Sequence, residues 1–154
     1  MLLQFVVGAA ACLCNIAIHA LVMLVLVQVA QRAARTSRLG PSLLLVTIMV
    51  ATVSVLMMAH GLEVLVWALT YGMVGAAPPG ADVVYFAFVN YTTLGYGDVV
   101  PVDRWRLIGP TTAMCGVLMF GWSTAVIFDI LRRALATLPQ MRSEESRKQE
   151  QPLV

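Results

Sequence analysis

The sequence predicts an all-α membrane protein: three spanning helices, with a short helix and an extended segment between the second and the third. Three observations predict it. Hydrophobic residues make up 60% of the 154-residue chain and charged residues only 12%, about half the charged share of a soluble domain. Three runs, Leu2 to Ala30, Ser42 to about Tyr71 and Leu107 to about Leu131, are almost free of charge and long enough as helices to cross the ~30 Å hydrocarbon core. Between the last two lies Thr92-Thr93-Leu94-Gly95-Tyr96-Gly97-Asp98, two glycines around a tyrosine, for which a soluble fold has little use. The length allows one folded unit, read as an N-terminal helix with an Arg loop (1–40), a central module (41–136) and a disordered polar tail (137–154).

The first run reaches about 43 Å as a helix, so it spans with tilt or with its ends in the interface. It lacks the basic start and the short apolar core of a signal peptide. Gln4, Asn15, His19 and Gln28 are its polar residues. Asn15 and His19 are four apart and share a face, and polar groups at this depth face protein rather than lipid. Cys12 and Cys14 here, and Cys115 in the third run, read as small packing residues, with no disulfide and no metal expected. Arg32, Arg35 and Arg38 follow in a polar loop reaching Pro41. They lie between spans rather than inside one, so they read as positive-inside loop charges and not as a voltage sensor.

Ser42, after Pro41, is the expected N-cap of the second span. His60 and Glu63 are its ionisable residues, three apart on one face and within mutual hydrogen-bond reach. Structural pairing, influence on gating by pH, and metal ligation are all open to them. Trp67 and Tyr71 suit the outer membrane interface. Val74 to Gly80 is a loop, and Ala81 to Thr92 a short helix with Asp82 at its positive end. That helix is too short to cross a bilayer and reads as re-entrant. Asp98, Asp103, Arg104, Trp105 and Arg106 form a mixed-charge outer rim. In the third span, Gly109, Gly116 and Gly121 permit close helix contact or bending. Asp129 either lines an inner mouth or caps the interface beside Arg132 and Arg133.

The segment between the spans has its own chemistry. Gly95 and Gly97 accept φ > 0 at little cost, so they can turn successive carbonyls to one side of an extended chain. Thr93 adds a hydroxyl at the inner end. Leu94 and Tyr96 would then point back into the protein. Several such strands around an axis would give stacked oxygen cages that replace the hydration shell of a cation. One strand cannot close a ring, so a cyclic homo-oligomer is expected.

Thr-Leu-Gly-Tyr-Gly-Asp resembles the selectivity filter of potassium channels, with Leu94 where the commonest form has Val, and the resemblance extends over roughly Leu43 to Arg133. The module is similar to the two-transmembrane pore module of prokaryotic type, here with an additional N-terminal helix. The resemblance implies a homotetramer around a central pore, passive K+ conduction, and K+ held at Thr93, Leu94, Gly95 and Tyr96, with Gly97 completing the bend. It implies filter support from Thr92, Asp98, Tyr85 and Phe86. Tyr85 and Phe86 stand where the family often has two tryptophans, and Phe86 has no donor for Tyr96. It also implies a gating hinge at Gly116, with Gly121 second. His19, His60, Glu63 and Asp129 are expected polar modulators.

Arg32, Arg35, Arg38, Arg132, Arg133, Arg142, Arg147 and Lys148 fall on one side of the membrane, and only Arg104 and Arg106 on the other. The positive-inside rule puts the C-terminus in the cytoplasm and the N-terminus and filter outside, in the plasma membrane. The expected partners are three further copies and membrane lipid, without nucleic acid, small-molecule substrate or any cofactor beyond K+ as permeant ion. Nothing resembles an enzyme's nucleophile and base. The alternatives are a non-selective cation channel of the same architecture and a proton-coupled carrier or metal protein built on Asn15, His19, His60 and Glu63.

Overall fold

A computed structural model describes residues 1–36 and 39–150, and among these residues the chain is helical with no strand. Helix α1 is Leu2–Thr36, α2 Pro41–Val74, α3 Val83–Tyr91 and α4 Ile108–Glu150, with a single 3-10 turn at Asp103–Trp105. Three segments, Leu2–Ala33, Ser42–Val74 and Asp103–Ala136, are long and apolar enough to cross a membrane. The protein is thus a multi-pass membrane protein. Large apolar side chains such as Leu3, Leu13, Leu21, Leu24, Val50, Met58 and Leu69 cover its outside, which suits lipid as the solvent.

Several boundaries differ from expectation. α1 continues through Gln31 and Arg32 to Thr36, so Arg32 and Arg35 lie on its last turns rather than in a loop; Arg and Gln are good helix formers and do not stop a helix already under way. Arg38 lies outside the described residues. The N-cap of α2 is Gly40, with Pro41 in the first turn, because proline's fixed φ and missing N–H suit that position; Ser42 is one residue inside. α2 ends at Gly75 in the left-handed conformation (φ 62°), its N–H bonded to Gly72 O while Ala76 N–H donates to Tyr71 O. α4 runs on to Glu150, where a disordered tail was expected from 137: the Gln, Arg, Lys and Glu residues of this stretch are good helix formers that sustain a helix already under way.

α1 packs on α2 and α4, α2 packs on α4, and α3 is wedged between α2 and α4. Two apolar cores result. One surrounds α3 and holds Trp67, Tyr71, Phe86, Tyr91, Ile108 and Cys115; the other, toward the far end of the spans, holds Met23, Leu26, Leu44, Ile48, Leu56 and Ile130. Trp67 and Tyr71 are both fully buried, not interface anchors. Tyr71 stacks near Phe86 (5.0 Å between rings) and shares a 2.6 Å hydrogen bond with Thr112, so α3 covers the face that the sequence offered to the interface. Trp105 is also buried, and leaves Asp98, Asp103, Arg104 and Arg106 on the rim.

α1 and α4 meet closely. Gln4 Oε1 accepts from Leu107 N–H at 2.9 Å. A Cβ on Gly8 would lie 2.7 Å from Thr111 Cγ2. The thiols of Cys12 and Cys115 are 2.8 Å apart and both are free.

Candidate functional site

The nine-residue α3 ends where the glycine-bracketed segment begins. Asp82 caps its start, accepting from Val84 N–H at 2.9 Å and Tyr85 N–H at 3.1 Å, as its place at the positive end of the dipole requires. Its C-terminal carbonyls are used by the segment that follows. Thr93 N–H donates to Asn90 O (3.1 Å), and Leu94 N–H (3.0 Å) and Gly95 N–H (3.5 Å) both reach Val89 O. Thr92 Oγ1 donates to Phe88 O at 2.8 Å. The base of the segment is therefore fastened to the helix end by its own amides.

Beyond this base the backbone alternates. Thr93, Gly95 and Gly97 have φ of 62°, 55° and 79°, while Leu94 and Tyr96 between them do not take positive φ. Gly95 and Gly97 behave as their lack of a Cβ allows. Thr93 does not: a β-branched residue in this region costs roughly 1–2 kcal/mol, and such strain persists where the surroundings impose it, commonly at functional sites. That Thr93 joins the two glycines could not be read from the residues alone.

Leu94 is 52% and Tyr96 68% exposed. Within one chain they do not point back into protein, contrary to expectation. Tyr85 and Phe86 part company. Phe86 is buried in the core against Tyr71, and Tyr85 donates to Asp98 Oδ2 at 2.6 Å. This bond bridges α3 to the outer end of the segment. It holds the Asp98 carboxyl below its ordinary range and raises the Tyr85 phenol, because the hydrogen bond favours the carboxylate and the neutral phenol.

Behind the segment lies a buried polar cluster contributed by all four helices. Glu63 Oε1 is 2.6 Å from His19 Nδ1, and Oε2 is 3.2 Å from His60 Nδ1. Tyr91, the last residue of α3, donates to Glu63 Oε2 and lies 3.0 Å from His60 Nδ1. Ser123 Oγ on α4 is 2.9 Å from His60 Nε2 and 3.3 Å from His19 Nε2. Asn15 Nδ2 donates to the Glu63 carbonyl at 3.4 Å. His19, Glu63, Asn15 and Tyr91 are fully buried. The Asn15 and His19 face of α1 thus meets the His60 and Glu63 face of α2. Tyr91 and Ser123 were missed in the sequence. Their signal was a polar group inside an apolar run that would need a buried partner.

The inner-helix glycines separate. A Cβ on Gly116 would lie 2.0 Å from Tyr91 O, whereas one on Gly121 would meet nothing within 4 Å. Gly116 lets the α4 backbone touch the end of α3, a role that needs no hinge. Asp129 pairs with Arg132 (3.1 Å) and Arg133 (2.6 Å) on its own helix, the interface-capping arrangement.

Residues 59–133 match the model of a family described as ion channel. No curated protein and no solved structure matches. The matched region runs from just before His60 to Arg133. It therefore contains α3, the strained segment, most of the polar cluster and the apolar part of α4, and it leaves out α1.

Proposed function

On the premise that residues 59–133 belong to the ion channel family, we propose that this chain forms a potassium-selective channel, four copies of which bring their Thr93–Gly97 strands around one axis. The observation that carries the reading is the alternation of left-handed residues at 93, 95 and 97 within Thr-Leu-Gly-Tyr-Gly-Asp, directly after a helix too short to cross a bilayer. In an extended strand, neighbouring carbonyls alternate in direction; a left-handed residue at every second position brings them to one side. The carbonyls of Thr93, Leu94, Gly95 and Tyr96 then supply the cages, with the Thr93 hydroxyl at the inner end, and replace the hydration shell of a dehydrated K+ ion. The α3 dipole aims its negative end at the inner approach to the filter and favours a cation there.

The exposure of Leu94 and Tyr96 supports the assembly. Both are large side chains that one chain leaves uncovered, and a ring of copies supplies the missing walls. A heterologous interface that closes on itself meets this need. Irregular backbone at membrane depth is tolerated only against protein or an aqueous pore, which is the environment such a ring creates. Charge bias places the filter and the N-terminus outside, and the C-terminus in the cytoplasm of a plasma membrane.

A non-selective pore of the same architecture is the second reading. It is favoured by one observation: Tyr85 is engaged with Asp98 rather than with Tyr96, so among the described residues no donor braces the filter tyrosine. Reversal potentials of the purified protein in a planar bilayer, with potassium on one side and sodium on the other, decide between the two. A reversal near the potassium equilibrium potential is expected. A reversal near zero would leave the pore and remove the selectivity. Saturable flux that survives replacement of Gly97 and fails on replacement of His60 would replace both with a carrier.

A further inference from the structure

The filter reading makes no use of the polar cluster behind it. Glu63 is fully buried in a membrane-spanning helix, and among the described residues its ionic partners are His19 and His60. Among the described residues no arginine or lysine reaches it. The other titratable groups of the neighbouring core are Tyr91, which bonds Glu63, Tyr71, which bonds Thr112, and Cys12 and Cys115, which face each other. A buried carboxylate without a compensating positive charge costs several kcal/mol, so the cluster requires a cation at the Glu63 face.

Two cations fit there, a proton on one imidazole or a metal ion, and the hydrogen count shows what each satisfies. Each imidazole turns Nδ1 toward Glu63 and Nε2 toward Ser123 Oγ. With both imidazoles neutral and protonated on Nδ1, both Nε2 atoms need a donor, and Ser123 has one hydroxyl hydrogen. One ring nitrogen is left unsatisfied in a buried site, at the full cost of its desolvation. A proton on one imidazole removes the conflict, and so does a divalent metal ion at the Glu63 face. Both Nδ1 atoms then give their lone pairs to the metal, both Nε2–H groups donate, and the two lone pairs of Ser123 Oγ accept one each. Metal-bound histidines usually have such a partner for the distal N–H. The ion also supplies the charge that Glu63 lacks.

We propose that His19 Nδ1, His60 Nδ1 and a Glu63 carboxylate oxygen form a binding site for a divalent transition-metal ion of the zinc class, with Tyr91 Oη as the fourth ligand. The ligand atoms of His19, His60 and Glu63 already lie within 4.8 Å of one another. Zinc bound to nitrogen and oxygen at about 2.0–2.2 Å sets neighbouring ligands about 3.3 Å apart. The present separations of 2.6, 3.2 and 3.0 Å therefore need only a small expansion. Two imidazoles with one carboxylate favour zinc over magnesium or calcium, which take oxygen cages. Trp122 stacks near His19 (5.1 Å) and Phe120 near His60 (4.7 Å), an apolar shell that excludes water from the site. One ion would tie α1, which lies outside the matched channel region, to α2 and to the last residue of α3.

The site is tested without reference to conduction, so failure of the channel reading leaves it standing. The full-length protein in detergent is stripped with a chelator, dialysed against Zn2+ alone, and assayed for bound metal per chain. One ion per chain is expected, together with a melting temperature that rises with Zn2+ and not with Mg2+. His60→Gln and His19→Gln should each abolish stoichiometric binding. Ser123→Ala keeps every proposed ligand and removes the shared acceptor, so it should bind about 10- to 100-fold more weakly even if a histidine variant fails to fold. Co2+ substitution should give visible bands of nitrogen and oxygen ligation without thiolate charge transfer, which separates this site from the three cysteines. A wild-type chain that takes up no stoichiometric Zn2+, zinc retained at full affinity in Ser123→Ala, or a thiolate spectrum would each overturn the proposal.

Discussion

Two adjacent regions of this molecule are built on opposite plans. The extended Thr93–Gly97 segment is exposed, is fastened to the helix before it by the amides of its first residues and, at its outer end, by the Tyr85–Asp98 bond, and keeps Thr93 in a backbone conformation that a threonine avoids. The cluster of His19, Glu63, His60, Tyr91 and Ser123 is buried, and its side chains bond one another across four helices. Tyr91 joins the two, since it ends α3 and begins the turn into the strand. The contrast separates the work of each. The cluster closes within one chain and fixes where α3 ends. The strand leaves its carbonyls and its two large side chains to be completed by something outside the chain.

Changes to the strand should therefore act on flux without unfolding the chain, and the largest effect is expected there. Gly97→Ala forces a Cβ into a backbone at φ 79°. It should abolish potassium flux while the protein remains in the membrane fraction and keeps its helical circular dichroism. Unaltered flux would break the assignment of the strand as the filter.

Changes where the two regions touch should act on stability. In Gly116→Ala the new methyl would sit 2.0 Å from Tyr91 O, a backbone atom that cannot give way cheaply. A loss of about 1–3 kcal/mol in unfolding free energy is expected. Gly121→Ala, in open space on the same helix, should instead be neutral or gain up to about 1 kcal/mol from helix propensity. Chemical denaturation of the pair measures this directly. If the two alanines behave alike, the close approach of α4 to α3 is wrong.

The outer end of the strand should show a milder, pH-dependent effect. The Tyr85 hydrogen bond depresses the Asp98 carboxyl. A carboxylate with a lowered folded-state value contributes its stability above its ordinary range, and loses it as pH falls through the depressed value. Conduction should thus be steady across neutral pH and become less selective in acid. Tyr85→Phe should bring that loss to a higher pH, as reversal potentials recorded against pH will show. The smallest effect concerns α1. Cys12 and Cys115 touch, so mild oxidation should cross-link them within one chain, visible as a mass loss of about two hydrogens, with little effect on flux because neither lies on the strand. The sequence alone pointed to no pairing, because their separation of 103 positions hides the contact.

Much of the fold was legible because the determining properties are local. Long apolar runs specify spans in any membrane context, Asp82 specifies the start of α3, and Gly95 and Gly97 specify backbone freedom wherever they stand. What was missed depended on neighbours. Trp67 and Tyr71 looked like interface residues until α3 was laid over them. The tail after 137 looked disordered by composition, yet its helix formers continue a helix nucleated upstream. Thr93 takes its conformation from amides bonded to the end of α3, against its own preference.

By itself, then, the sequence determined three spans, a short capped helix and a glycine-bracketed strand, because hydropathy, capping and φ tolerance belong to single residues and their near neighbours. The tertiary structure alone decided that His19 meets Glu63 from 44 positions away, that Tyr91 and Ser123 complete that cluster, and that Gly116 serves contact with α3. These outcomes follow from which helix faces turn toward each other, and that is settled only when buried polar groups and close-packed backbones must all be satisfied at once.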